Sequence, residues 1–149
     1  MKIGVGTDHG GFILKASVIA ALEAAGVTVV DFGTCDGEPV DYPDPARAVA
    51  EAVAAGEVDR GVLICGSGVG VAIAANKVRG VRACLCHDTY SARQGVDHDA
   101  MNVLCLGGRV VGSELAGELV RAFLAGQFTG EERHRRRLGK VEAIEAAQA

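Results

Sequence analysis

Five short apolar runs, each followed by a longer stretch of helical character, constrain this chain more than any other feature. The runs are Lys2–Thr7, Val27–Phe32, Arg60–Cys65, Val81–Cys86 and Met101–Leu106. They are almost continuously apolar, as strands covered on both faces are. The helix candidates are Phe12–Ala25, Pro45–Ala55, Ser67–Val78, Tyr90–Val96 and Gly112–Ala125. Gly26 and Gly56 stand where a helix end wants a left-handed residue, and Pro43 and Pro45 suit a helix entrance. Strand followed by helix, five times over, predicts an α/β fold: a five-stranded parallel sheet flanked by helices, with right-handed crossovers. A chain of 149 residues, 49% of them hydrophobic, suits one such core, so residues 1–149 read as a single domain. Residues 130–149 open with Gly-Glu-Glu-Arg-His-Arg-Arg-Arg and continue as a charged helix. That tail is either packed on its own core or is an arm laid on a partner subunit.

Charge and composition remove several classes of function. Fifteen basic residues against nineteen acidic ones leave a net charge of −4, which argues against a polyanion binder. Aromatics are only 4% and Trp is absent, so no stacking platform for nucleic acid is expected. The five cysteines, Cys35, Cys65, Cys84, Cys86 and Cys105, are odd in number and contain no C-x-x-C pair. That pattern fits a reducing cytoplasm better than a disulfide framework or a zinc site. No signal peptide and no membrane span are expected, because no apolar run is long enough for either.

In a parallel sheet of this kind, ligands sit beyond the carboxyl ends of the strands. Cys65-Gly66-Ser67-Gly68-Val69-Gly70 follows the third run. Its glycines let backbone N–H groups converge on an anion, and a thiol there loses its proton more readily. A tight turn after an inert buried thiol explains the pattern equally well. The spacing is neither a dinucleotide fingerprint nor a Walker loop, and Val71 stands where a cysteine phosphatase loop needs Arg. Asp8-His9-Gly10-Gly11 follows the first run, where a cap on the first helix is the plain reading of Asp8. Asp97-His98-Asp99, in a loop before the fifth run, sets an imidazole between carboxylates, which suits a general acid–base group and equally suits a plain polar loop. His87-Asp88 after the fourth run reads as structural. These His/Asp pairs lack metal-ligand spacing, so no metal and no cofactor are expected. Arg133 and Arg137 are one helical turn apart and can grip one phosphate together.

Read in order, these segments resemble the type B ribose-5-phosphate isomerases, whose family includes the galactose-6-phosphate isomerase subunits. The matching text is Gly6-Thr7-Asp8-His9-Gly10-Gly11-Phe12, Asp41-Tyr42-Pro43, Cys65 to Gly70, Ile73-Ala74-Ala75-Asn76-Lys77, Gly107-Gly108-Arg109, and Arg133-His134 with Arg137. It covers nearly the whole chain. The resemblance implies a Rossmann-like, metal-independent aldose–ketose isomerase. It also implies a homodimer, or a tetramer of such dimers, with shared active sites and the 130–149 arm on the partner subunit.

Carried onto this sequence, the resemblance makes Cys65 the base that moves a proton between C1 and C2. Some family members use a Glu further along the loop, where this chain has Val71. His98 would open the furanose ring. Ser67 and the amides of Gly66, Gly68, Val69 and Gly70 would cradle the enediolate. Asp8 would hold the sugar's ring or hydroxyl oxygens, Tyr42 would line the substrate site, and His9, Arg109, Arg133 and Arg137 would hold the phosphate, with Arg136 an alternative to Arg137. The family often has Asn after the ring-opening histidine; here Asp99 stands there, and an ionised carboxylate accepts but cannot donate. The expected reaction is ribose 5-phosphate to ribulose 5-phosphate. The alternatives are the same chemistry on a tetrose, hexose or 6-deoxy-hexose phosphate, or a non-catalytic module that binds a phosphorylated metabolite.

Overall fold

The computed structural model describes residues 1–34 and 36–148, so Cys35 and Ala149 lie outside the described residues. Its strands are β1 (Lys2–Thr7), β2 (Thr28–Asp31), β3 (Arg60–Cys65), β4 (Ala83–Leu85) and β5 (Val103–Gly107). They form one parallel sheet in the order β2-β1-β3-β5-β4. The helices are α1 (Phe12–Ala24), α2 (Pro43–Ala54), α3 (Val69–Ala75), α4 (Thr89–Asp99), α5 (Ser113–Ala125) and α6 (Glu132–Ala147).

Alternation along the central strands builds two cores. Val62 and Ile64 of β3 and Leu104 and Leu106 of β5 face a layer made by α1, α4 and α5, with Leu14, Val18, Val96, Leu119 and Phe123 all buried. Leu63, Cys65, Val103 and Cys105 face the opposite layer, against Val49 and Ala50 of α2 and Val71 and Ala75 of α3. Each fully buried Leu, Ile, Val or Phe contributes about 1.5–3 kcal/mol, so the two faces together drive folding. Gly6 has no side chain because a Cβ there would lie 2.9 Å from Val49, so α2 can press against β1.

Gly26 and Gly56 adopt the positive φ their places demand, and α2 starts at Pro43. Several boundaries differ from the sequence reading, and three of them have a visible cause. β4 is shorter than Val81–Cys86, since the Asn102 and Asn76 side chains take the Arg82 and Ala83 amides at its start. α3 begins at Val69, not Ser67, because Gly68 is left-handed (φ 81°). α4 runs on to Asp99 instead of stopping at Val96, so His98 and Asp99 lie in a helix and not in a loop. It ends only where Ala100 turns left-handed (φ 52°). Among the described residues, no helix is long and apolar enough to cross a membrane.

Candidate active site

The strand order reverses between β1 and β3, which opens a crevice at their carboxyl ends. Asp8 follows β1 and Cys65 closes β3, and the Asp8 amide donates to the Ile64 carbonyl across the crevice (3.2 Å). The Asp8 carboxylate accepts the Gly11 N–H (2.9 Å) and is 7% exposed. Cys65 is 5% exposed, and its Sγ accepts the Gly68 N–H at 3.1 Å. Ser67 is exposed, its Oγ accepting the Val69 N–H (3.2 Å).

Three glycine loops pack backbone to backbone around this point. A Cβ on Gly10 would lie 2.9 Å from the Gly66 nitrogen, one on Gly11 2.3 Å from the Ile64 oxygen, and one on Gly108 2.6 Å from the Gly10 oxygen. The Gly108 and Arg109 amides donate to the Cys65 and Gly66 carbonyls (2.8 and 3.0 Å), which sets the Arg109 guanidinium beside Gly66. The Tyr42 ring covers Gly70, and exposed His9 accepts the Val40 N–H through Nδ1 (3.3 Å). Asp8, His9, Tyr42, Cys65 to Gly70 and Arg109 therefore form one cluster.

His98, Asp99, Arg133 and Arg137 do not join it. α4 returns from the carboxyl end of β4 to the amino end of β5, so its last turn sits at the opposite edge of the sheet. β5 has five residues at about 3.3 Å each, so more than roughly 13 Å of sheet separates the two ends. The sequence reading looks for the site beyond the carboxyl ends of the strands, and these four residues lie at the other edge: a parallel strand starts where its preceding helix ends, and that is the amino edge. There the His98 ring stacks on His134 of α6, centroids 4.1 Å apart, with Arg133 and Arg137 on the same helix, both exposed, and Arg133 paired with Glu131. A groove of about 470 Å³ opens beside His98, lined by Tyr90, Arg93, Gln94, Asp97 and Ala122 among others.

The plain readings hold at the fourth strand. Asp88 caps α4 through the Ser91 amide (2.6 Å), which holds its carboxyl below the usual carboxylate range. His87 accepts the Gly107 N–H through Nε2 (3.1 Å). Burial pushes the Cys86 thiol up to about 11 and raises those of Cys84 and Cys105, so these sulfurs are poor nucleophiles. No group of three or more His, Cys, Asp or Glu among the described residues is arranged to hold a metal. Sequence reasoning missed two partners of His98: Gln94, one turn earlier on α4, and His134. The Gln-x-x-x-His spacing is the available signal, hidden because the sequence pattern ends α4 at Val96.

The same fold occurs in known proteins. The ribose/galactose isomerase family model matches residues 3–141. The chain belongs to the ribose/galactose isomerase family. It is 52% identical over 144 residues to ribose-5-phosphate isomerase B of Escherichia coli, covering 97% of this chain and 96% of that one. It is 44% identical to D-erythrulose-4-phosphate isomerase 2 of Mycolicibacterium smegmatis, covering 99% of both. The solved ribose-5-phosphate isomerase B of Clostridium thermocellum superposes with a TM-score of 0.96 at 50% identity, over 100% of both chains. This member of the ribose/galactose isomerase family is a sugar-phosphate isomerase, and the non-catalytic reading is set aside.

Proposed function

We propose that this isomerase interconverts ribose 5-phosphate and ribulose 5-phosphate in sites built between two copies of the chain. The observation that carries the reading is the Cys65 sulfur at the β1/β3 crevice, with the Gly68 amide on it. His98 opens the furanose. The Cys65 thiolate then takes the proton from C2, leaving an enediolate; the O2 hydroxyl proton passes to O1 through solvent water, and the thiol returns its proton to C1. Ser67 and the amides of the 66–70 loop stabilise the developing oxyanion, while Asp8 holds hydroxyl or ring oxygens and Tyr42 flanks the sugar. His9 and Arg109 hold the phosphate as a remote handle that orients the reacting carbons.

The separation of the two clusters supports a shared site. His98, Asp99, Arg133 and Arg137 lie too far along the sheet to meet Cys65 of their own chain, so a two-fold partner supplies them. The 130–149 arm then bridges subunits. Its start is anchored on its own chain by His134, and near its end Glu145 accepts the Gly80 N–H, while Val141 and Ile144 stay exposed for the neighbour. Such a dimer exposes its remaining surface to further pairing as a tetramer.

A coupled isomerase assay on Cys65→Ala tests the base. A positioned base contributes about 10²- to 10⁴-fold, so kcat should fall by that amount with KM little changed. Full activity in this variant removes Cys65 from the chemistry. A second reading, another sugar phosphate, is favoured by Asp99, whose carboxylate cannot donate to a substrate hydroxyl. Ranking ribose 5-phosphate against tetrose and hexose phosphates by kcat/KM decides between them.

A further inference from the structure

His98 is held more tightly than a simple proton donor requires. Its Nδ1 lies 2.9 Å from the Gln94 amide nitrogen, one turn back on α4. An amide nitrogen only donates, so Nδ1 accepts and the proton of the neutral ring resides on Nε2. One face of the ring is covered by His134, at 4.1 Å and an interplanar angle of 24°. His134 is 2% exposed, and its Nδ1 lies 2.7 Å from Thr129 Oγ1. Thr129 is itself fixed, its amide donating to the Asp97 carbonyl (2.9 Å), while the Asp97 carboxylate takes the Gln127 amide (2.7 Å).

The surroundings oppose a charge on His134. Burial first, then the His98 ring, Arg133 and Arg137, lower the basicity of His134 against the single carboxylate of Glu131. α4 adds Arg93, Asp97 and Asp99, and α5 presents only Ala122 and Ala125 to the groove.

We propose that Gln94 and His134 hold His98 as a neutral imidazole protonated on Nε2, which serves the sugar as a neutral hydrogen-bond donor rather than as an imidazolium acid. This rests on the ring-opening role given above and deepens it. In the step, the C1 hydroxyl gives its proton to solvent water and its O–H electron pair forms C1=O. The C1–O ring bond breaks, and its electron pair leaves on the ring oxygen. That alkoxide is stabilised by the Nε2–H and takes a proton back from water, so no net proton is gained or lost. Gln94 and His134 are positioning residues, acting through His98.

Imidazole nitrogen shifts of the ¹⁵N-labelled full-length protein, with His98→Ala as the assignment control, read the proton directly. At neutral pH, Nδ1 of His98 should be bare and Nε2 protonated, and Gln94→Glu should move the proton to Nδ1. A wild-type ring that carries its proton on Nδ1, or is doubly protonated, overturns the proposal. The kinetic arm compares ribose 5-phosphate, which cyclises, with erythrose 4-phosphate, whose free hydroxyls cannot close a five-membered ring. Gln94→Glu should lower kcat/KM about tenfold on the first sugar only. The ratio of the two kcat/KM values should stay level with pH in wild type; a ratio that falls as pH rises through about 6.5 reveals an imidazolium acid and overturns the proposal. If His98→Ala costs both sugars equally, the ring-opening reading fails, whatever the tautomer.

Discussion

The two ends of the sheet are built by opposite means. At the carboxyl end the chemistry is offered by backbone: Gly10, Gly11, Gly68 and Gly108 are packed so closely that a single added carbon on any of them would lie within 3.0 Å of a main-chain atom. At the amino end it is offered by side chains on the last turn of α4 and the first turns of α6, stacked and hydrogen-bonded but partly open to solvent. The difference follows from the tasks. Stabilising an oxyanion needs donors that do not reorganise, which rigid amides supply. Reaching into a neighbour's crevice needs long side chains carried on an element that projects from the core.

The division of labour is broken most severely by mixing variants. Cys65→Ala and His98→Ala are each expected to be nearly inactive. Unfolded and refolded together, they should recover about a quarter of wild-type activity, because half the dimers pair one of each and hold one intact site. No recovery would place both residues of each site in one chain. The next largest effect is on stability. Gly11→Ala forces a methyl to 2.3 Å from the Ile64 oxygen and should cost about 1–3 kcal/mol or more in denaturant titration. Gly139→Ala in α6 meets nothing within 4 Å and should stabilise by about 0.5–1 kcal/mol. Equal effects at the two positions would dissolve the contrast between the ends.

Smaller effects sharpen it. Asp99→Asn removes a negative charge beside an anionic substrate and restores a donor. It should shift preference toward ribose 5-phosphate by roughly threefold to tenfold in kcat/KM, whereas an unchanged substrate ranking would free Asp99 of any part in specificity. The mildest is the response of the arm to acid. Docking lowers the basicity of His134, so the undocked arm binds a proton more readily. Docking is therefore intact above the ordinary histidine value of 6.5 and weakens as pH falls below it. Protection factors across α6, taken relative to the intrinsic exchange rate at each pH, should fall on acidification in wild type and lose that dependence in His134→Gln.

The carboxyl-end cluster was legible because its signals are local. A glycine run directly after an apolar run marks a strand–loop junction, and the parallel topology carries every such junction to the same edge. The amino-end cluster was not legible in the same way. Gly95, Asp97 and Asp99 are poor helix formers, so α4 reads as ending at Val96. In the fold, the Asp88 cap, the burial of Ala92 and Val96 against α5, and the hold of Asp97 on Gln127 and Thr129 carry the helix one more turn. The Asp97 contacts join residues about thirty positions apart, and no short window along the chain contains them.

By itself the order of residues determined the alternating strands and helices, the place of the Cys65 loop and the family, since each depends on neighbours in the chain and on a handedness all such crossovers share. Only the tertiary structure decided that His98 points from the far edge of the sheet, seated on His134 with Gln94 at its nitrogen. The physical reason is that helix length and long-range packing fix which edge a side chain leaves from, and neither is written in any short stretch of sequence.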